Sequence, residues 1–244
     1  MKESWENIWA EGRDCGILRG IGRAMASKSD LQYLVFRELS EWCFLESDSR
    51  ILEIGCGTAP VPGMLRGISD LVFGVDVSLS SAKVSSTLCL SAVSDGRELP
   101  FPDDSFHTVF STGVLDLYNE DEVRGFFREI QRVLKPGGRS VAVTSSSRCR
   151  LHFAVMEYLR KRGRWRYGPK RSFTSLANLL PDGLAVLSEH ERGAVFQFRF
   201  VSYLFENRRF LRRVYNGLFL CASMVLRPLN RLPGALLVTI TEKK

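Results

Sequence analysis

Residues 50–58 read Arg50-Ile51-Leu52-Glu53-Ile54-Gly55-Cys56-Gly57-Thr58, and this stretch decides the fold. The run Ile51 to Ile54 is almost continuously apolar, the pattern of a short strand covered on both faces. Glycines at 55 and 57 then let the backbone turn tightly and approach a ligand closely. Alone, Gly-x-Gly reads as a structural turn as readily as a site. The third glycine of a dinucleotide fingerprint is absent; Pro60 follows instead. What surrounds the turn gives it meaning.

Strand and helix signals alternate outward from it. A capping box at Ser29–Gln32 opens a helix through about Trp42, with Leu31, Leu34, Val35 and Leu39 on one face. Pro60 to Arg66 starts a helix, Leu71 to Asp76 is a second strand, and Leu79 to Ser86 a short helix. Leu88 to Val93 and Phe106 to Phe110 read as strands three and four. Val123, Phe126, Phe127, Ile130, Val133 and Leu134 recur at helical spacing between Glu120 and Leu134, and Lys135-Pro136-Gly137-Gly138 stops that helix. Ser140 to Thr144, Leu184 to Leu187 and Ala235 to Thr241 complete the strand set. Such alternation specifies a parallel sheet with helices on both faces, whose ligands lie at the carboxyl ends of the strands.

Two acids stand at those ends. Asp76, 21 residues after Gly55, ends the second strand, where a carboxylate accepts from ribose hydroxyls. Asp95 follows the third strand and can accept from the exocyclic amine of adenine. Three features at successive strand ends are far less expected by chance than one.

The runs ILEIGCGTAP, GVDVS, SDGRELPFPDDSFHTVFSTGVLDL and FFREIQRVLKPGGRSVAVT together resemble class I S-adenosylmethionine-dependent methyltransferases, nearest to the type 11 group that includes quinone and small-molecule enzymes. The resemblance covers Arg50 to Thr144. It implies a Rossmann-like fold: a seven-stranded, mostly parallel sheet with an antiparallel last strand and helices on both faces. It further implies S-adenosylmethionine as cofactor, S-adenosylhomocysteine as product and no metal. Glu53, Gly55, Gly57 and Thr58 would line the methionine end, with Glu53 reaching its amino group. Asp76 would hold the ribose, Val77 would lie against adenine, and Asp95 with Gly96 would read the adenine edge. Ser111 and Thr112 would sit near the sulfonium. His107 replaces the family's usual aspartate at the start of the fourth strand, away from the ligand end, and reads as structural.

The whole chain, 1–244, is expected to be one domain. Residues 1–48 form a helical cap, 49–146 the cofactor-binding core, and 147–244 an acceptor-side half with a basic loop at 160–171 and a helical insertion at about 202–230. Trp5, Ile8 and Trp9 make an amphipathic start that either covers the cofactor or staples onto the core. The acceptor side offers no decisive catalytic residue. His152, two turns' worth of chain beyond the fifth strand, is the candidate base by type, its alternative being a helix-surface position. Asp116 and Tyr118 follow the fourth strand and either line the acceptor side or serve only as loop and helix-start residues. His190 is expected on an exposed strand.

Charge is divided unevenly. The net charge of +7 combines −8 over residues 1–120 with +15 over 121–244. Seven of the twelve residues from Arg160 to Arg171 are basic, with Trp165 and Tyr167 between them, suiting phosphate, RNA or anionic membrane, or a solvated loop alone. Arg208, Arg209, Arg212 and Arg213 precede Phe210, Val214, Leu218 and Cys221 at helical spacing, which suggests contact with a lipophilic acceptor or membrane surface, or packing over the sheet edge. The longest apolar run, Gly217 to Leu226, has ten residues, too few to span a bilayer. The first residues carry acids and no apolar stretch, and the six cysteines stand singly; both features suit a reduced cytoplasm. The expected function is methyl transfer to a small or lipophilic metabolite. The alternatives are a nucleic-acid methyltransferase using the basic half, a protein acceptor, or a non-catalytic S-adenosylmethionine-binding protein. After the fourth strand Ser111-Thr112-Gly113-Val114 lacks the Pro-Pro-aromatic run of enzymes that methylate bases, which counts against nucleic acid.

Overall fold

The computed structural model describes residues 30–165, 170–205 and 208–244. Trp5, Ile8 and Trp9, and residues 166–169 of the basic loop, lie outside them. In chain order the elements are α1 (Asp30–Trp42), β1 (Ile51–Ile54), α2 (Pro60–Leu65), β2 (Val72–Asp76), α3 (Leu79–Ser85), β3 (Leu90–Val93), β4 (Phe106–Thr112), α4 (Glu120–Val133), β5 (Leu134–Ser145), α5 (Arg150–Lys161), β6 (Leu184–Arg192), α6 (Arg209–Leu226) and β7 (Leu236–Lys243). Short 3-10 helices occupy Leu115–Leu117, Ala177–Leu179, Phe196–Phe205 and Arg227–Arg231.

The seven strands run in the order β3-β2-β1-β4-β5-β7-β6. The first five are parallel, and β7 is antiparallel to both neighbours. Strand order reverses between β1 and β4, so the crevice beyond their carboxyl ends is the place where this topology opens.

Alternate side chains of each strand enter opposite layers. Ile51, Phe110, Val141 and Val143 pack with Leu34, Val35 and Leu39 of α1 and Leu65 of α2. Leu52, Val109 and Ala142 pack on the other face with Phe126, Phe127 and Ile130 of α4. Both faces are therefore dry, which explains why β1 reads as an unbroken apolar run. A capping box at α4 makes its start sharp: Asn119 Oδ1 accepts from Glu122 N–H at 2.9 Å, and Glu122 Oε2 accepts from Asn119 N–H at 2.9 Å.

Two elements and one side chain differ from the sequence reading. The Lys135-Pro136-Gly137-Gly138 segment does stop α4, yet it also begins β5. Leu134 already pairs with Phe106, and the register then shifts before Thr108 meets Arg139, so the glycines form an irregularity inside a longer strand. Gly137 has φ +73°, which glycine adopts freely. Strand β6 extends to Arg192 because the antiparallel ladder continues from Leu184↔Lys243 to Arg192↔Leu236. His190 on this strand is half-buried rather than exposed. Its Nε2 lies 3.1 Å from Glu38 Oε2, with Arg37 and Arg192 also on that carboxylate. Burial alone would raise the Glu38 carboxyl, but the hydrogen bonds from His190 and Arg37 outweigh it and hold it at about 2. This network pins α1 to β6.

Candidate active site

The turn after β1 is built on positive φ angles: +74° at Gly55, +52° at Gly57 and 51° at Ala59. A Cβ on Gly55 would stand 2.2 Å from Val114 Cγ2, so both conformation and space demand glycine. Asp76, at the tip of β2 and 8% exposed, ties the turn down. Its Oδ2 accepts from Gly57 N–H at 3.0 Å and its Oδ1 from Ser78 N–H at 2.9 Å. These two backbone bonds fix the carboxylate at the strand tip.

A cavity opens over this turn. Ile54, Gly55, Asp76, Val77, Ser94, Gly96, Thr112, Gly113, Val114, Leu117, Tyr118 and Phe126 line it. Strand ends β1, β2 and β4 thus converge on one space, as the reversal in strand order requires. Gly96 is sterically obligatory, since a Cβ there would lie 2.3 Å from Phe126 Cε1 and 2.5 Å from Ile54 Cγ2.

Of the ten residues expected at the cofactor, Gly55, Asp76, Val77, Gly96 and Thr112 line the cavity. Gly57 contributes through its bond to Asp76. Ser111 is buried at the end of β4, and Thr58 is exposed on the rim of the turn. Glu53 is buried in β1, and its Oε2 has no hydrogen-bond partner among the described residues. Burial, and then the charge of Asp76, push its carboxyl well above the usual range. An isolated buried acid of this kind becomes an anion only beside a cation. Thr112 Oγ1 is likewise buried without a partner.

The structure engages Asp95 differently. Arg97 binds both its oxygens, with Nε to Oδ1 at 3.0 Å and Nη2 to Oδ2 at 2.7 Å. These bonds hold the Asp95 carboxyl below its usual range. Arg97 also reaches Glu122 at 2.8 Å and lies 5.2 Å over the Tyr118 ring. The cavity edge at β3 therefore consists of Ser94, Gly96 and Tyr118, while Asp95 braces Arg97 behind it. Tyr118 lines the cavity; Leu117 and Phe126 do so too, although nothing in their spacing distinguishes them from core residues.

His107 is structural. Its Nδ1 accepts from Arg50 N–H at 2.9 Å, and its Nε2 lies 2.8 Å from Lys135 Nζ. His152 is neither a helix-surface residue nor a lining residue of the cavity. It is 1% exposed, with its ring 3.8 Å from that of Phe200 and edge-on to Phe153 and Trp165. Neither ring nitrogen has a partner among the described residues. Burial, assisted by Lys170, pushes it down to about 4, so the ring is neutral. Asp116 is also buried, accepting from Ser145 Oγ at 2.8 Å and pairing with Lys170 at 3.2 Å. Lys170, one cation of the basic loop, is thereby an internal partner. Among the described residues no cluster suits a metal ion, and no helix is long and apolar enough to cross a membrane.

These features fit an adenosyl sulfonium: an unpartnered acid for its ammonium, a fixed carboxylate at the β2 tip for its diol, and glycines where its backbone approach needs room. The fold is the Rossmann-like one of S-adenosylmethionine-dependent methyltransferases, and the cavity at its strand ends resembles theirs. Residues 52–142 match the family model described as "Methyltransferase domain". Over 96 residues the chain is 32% identical to a demethylmenaquinone methyltransferase of Tropheryma whipplei, covering 37% of this chain and 39% of that one. Over 112 residues it is 30% identical to a 2-phytyl-1,4-naphtoquinone methyltransferase of Synechococcus elongatus, covering 41% and 47%. The chain thus spans less than half the length of these curated relatives. Among solved structures, geranyl diphosphate C-methyltransferase from Streptomyces coelicolor, in complex with S-adenosyl-L-homocysteine, shares the fold at a TM-score of 0.60 and 15% identity, over 87% of this chain and 76% of that one.

Proposed function

We propose that the chain transfers a methyl group from S-adenosylmethionine to a small, lipophilic acceptor. The observation that carries this reading is the buried Glu53, whose Oε2 has no hydrogen-bond partner among the described residues, at a glycine bend whose neighbouring strand presents Asp76. Asp76 on the cavity wall, with Glu53 buried next to the lining residue Ile54, favours a cationic, diol-bearing ligand over a phosphate-rich one. The quinone substrates in the names of the two relatives, and the apolar wall of Val114, Leu117 and Phe126, support an acceptor of low polarity.

When bound, S-adenosylmethionine supplies an activated methyl on a sulfonium that leaves as a neutral thioether. The chain's own work is then mostly placement. Asp76 fixes the ribose end, Glu53 the ammonium end, and the Gly55–Gly57 bend lets the backbone close on what lies between. Holding the nucleophile in line with the methyl carbon converts a bimolecular step into a nearly unimolecular one, the largest contribution such a site can make. Tyr118, its hydroxyl raised above the ordinary phenol range by burial, stays neutral and donates or accepts at the cavity wall. His152 is sealed among aromatic rings and is not assigned the role of base.

The test is incubation of the chain with methyl-labelled donor and fractionated extract. Label is expected in the organic-soluble fraction. Label confined to RNA or protein would replace this acceptor class with another.

A further inference from the structure

Helix α6 faces the wrong way for a core helix. Phe210, Leu218 and Val225 lie on one stripe at 76%, 67% and 79% exposure, with Leu211 and Val214 beside them at 39% and 44%. The inward side is mixed, with Phe219 half-buried beside Tyr215 and their rings 6.4 Å apart. Arg212 is half-buried there, Ser223 is 1% exposed, and the Tyr215 hydroxyl donates to the Phe198 carbonyl. The sheet-edge packing considered for this helix is therefore not what the structure shows: the apolar stripe points to solvent. A contiguous outward apolar surface of this kind marks a docking face.

We propose that α6 docks in the interface of an anionic lipid bilayer. Charge selects this occupant. Between Phe196 and Leu232 the chain carries seven arginines and one acid, and Arg208 and Arg213 are exposed beside the apolar stripe. A basic, outward-apolar helix lies flat at the headgroup boundary, its apolar side chains among acyl chains and its arginines on lipid phosphates. A second copy would bring one arginine-rich rim against another, so self-association on this face is opposed by its own charge. The inner side of α6 packs on the 3-10 helix Phe196–Phe205, whose Phe200 touches His152. The outward face of α6 is thus two packing layers from His152. The docking proposal stands whether or not the acceptor is lipophilic.

The experiment is flotation of the full chain with vesicles of phosphatidylcholine containing 30 mol% phosphatidylglycerol, roughly a physiological anionic load, and with pure phosphatidylcholine. The chain is expected to float with the anionic vesicles and at least about tenfold less with neutral ones, the difference shrinking as salt rises. Phe210→Ser with Leu218→Ser should lose about tenfold in bound fraction, and Arg208→Gln with Arg213→Gln a comparable amount; both sites are exposed, and an unchanged thermal midpoint confirms folding. Indifference to both vesicle types overturns the proposal. So does binding that survives the serine variant and vanishes only in the glutamine variant, because charge alone then holds the protein. Sedimentation of the wild type as a dimer that the serine variant dissolves would assign the face to a second copy instead.

Discussion

Phe126 and Phe210 sit on amphipathic helices of comparable length, 14 residues in α4 and 18 in α6, and end in opposite surroundings. Phe126 is 1% exposed against β1 and the cavity wall; Phe210 is 76% exposed. Helix α4 lies across a sheet whose face offers Leu52, Val109 and Ala142, so its stripe has something to bury against. Helix α6 leaves the sheet and rests on a short 3-10 segment, which accommodates only its narrow side with Tyr215 and Phe219. The same pattern, three to four residues apart, thus describes a core contact in one region and a free surface in the other. Which face turns inward depends on the area a neighbour supplies, not on the stripe itself.

The comparison is broken most forcefully at the core end. Phe126→Ala should cost about 3–5 kcal/mol in denaturant unfolding, since it leaves a void beside Gly96 and Ile54. A cost below about 1 kcal/mol would mean that α4 is not seated on the sheet as described.

Next in size is the acid sensitivity of the aromatic cluster that joins the two regions. Below about pH 6.5 an unfolded chain protonates His152, while the folded chain refuses that proton until about pH 4. The unfolded state therefore gains as pH falls through this window, and stability drops by up to about 3 kcal/mol. Lys170 opposes the protonated ring and Asp116 favours it, with burial dominating both. His152→Phe should flatten the stability profile between pH 4 and 6.5 and leave neutral-pH stability equal or higher, because two unpartnered nitrogens disappear. A parallel loss of stability with acid in both proteins would contradict the sealed, neutral histidine.

The smallest effect belongs to the outer helix. Phe210→Ala should move unfolding by less than about 0.5 kcal/mol in the absence of lipid. A penalty resembling that of Phe126 would show that α6 packs its stripe inward.

The central strands, the glycine bend and Asp76 were legible because burial on both faces leaves a continuous apolar run, and because a positive φ at a strand end needs glycine. Glu53 is legible only through the resemblance; that its Oε2 lacks a partner among the described residues is a property of the folded interior. Asp95 stands after β3 as its spacing indicates, and its pairing with Arg97, two residues on, is a contact that strand-end position does not report. Tyr118 joined the cavity from a 3-10 turn without strand or helix period. The Glu38–His190 contact spans 152 residues, and no local pattern announces it. The burial of His152 is not legible locally because the rings that enclose it, Phe200 and Trp165, come from separate segments.

The proposed grip of Asp76 and Glu53 on an adenosyl ligand is put to titration calorimetry with S-adenosylhomocysteine on the full chain and on Asp76→Asn. One site is expected on the native protein and an affinity about 10- to 100-fold weaker in the variant, the loss expected when hydrogen bonds to a charged acceptor are removed. Equal affinity in the two proteins, or no binding to either, would contradict that grip.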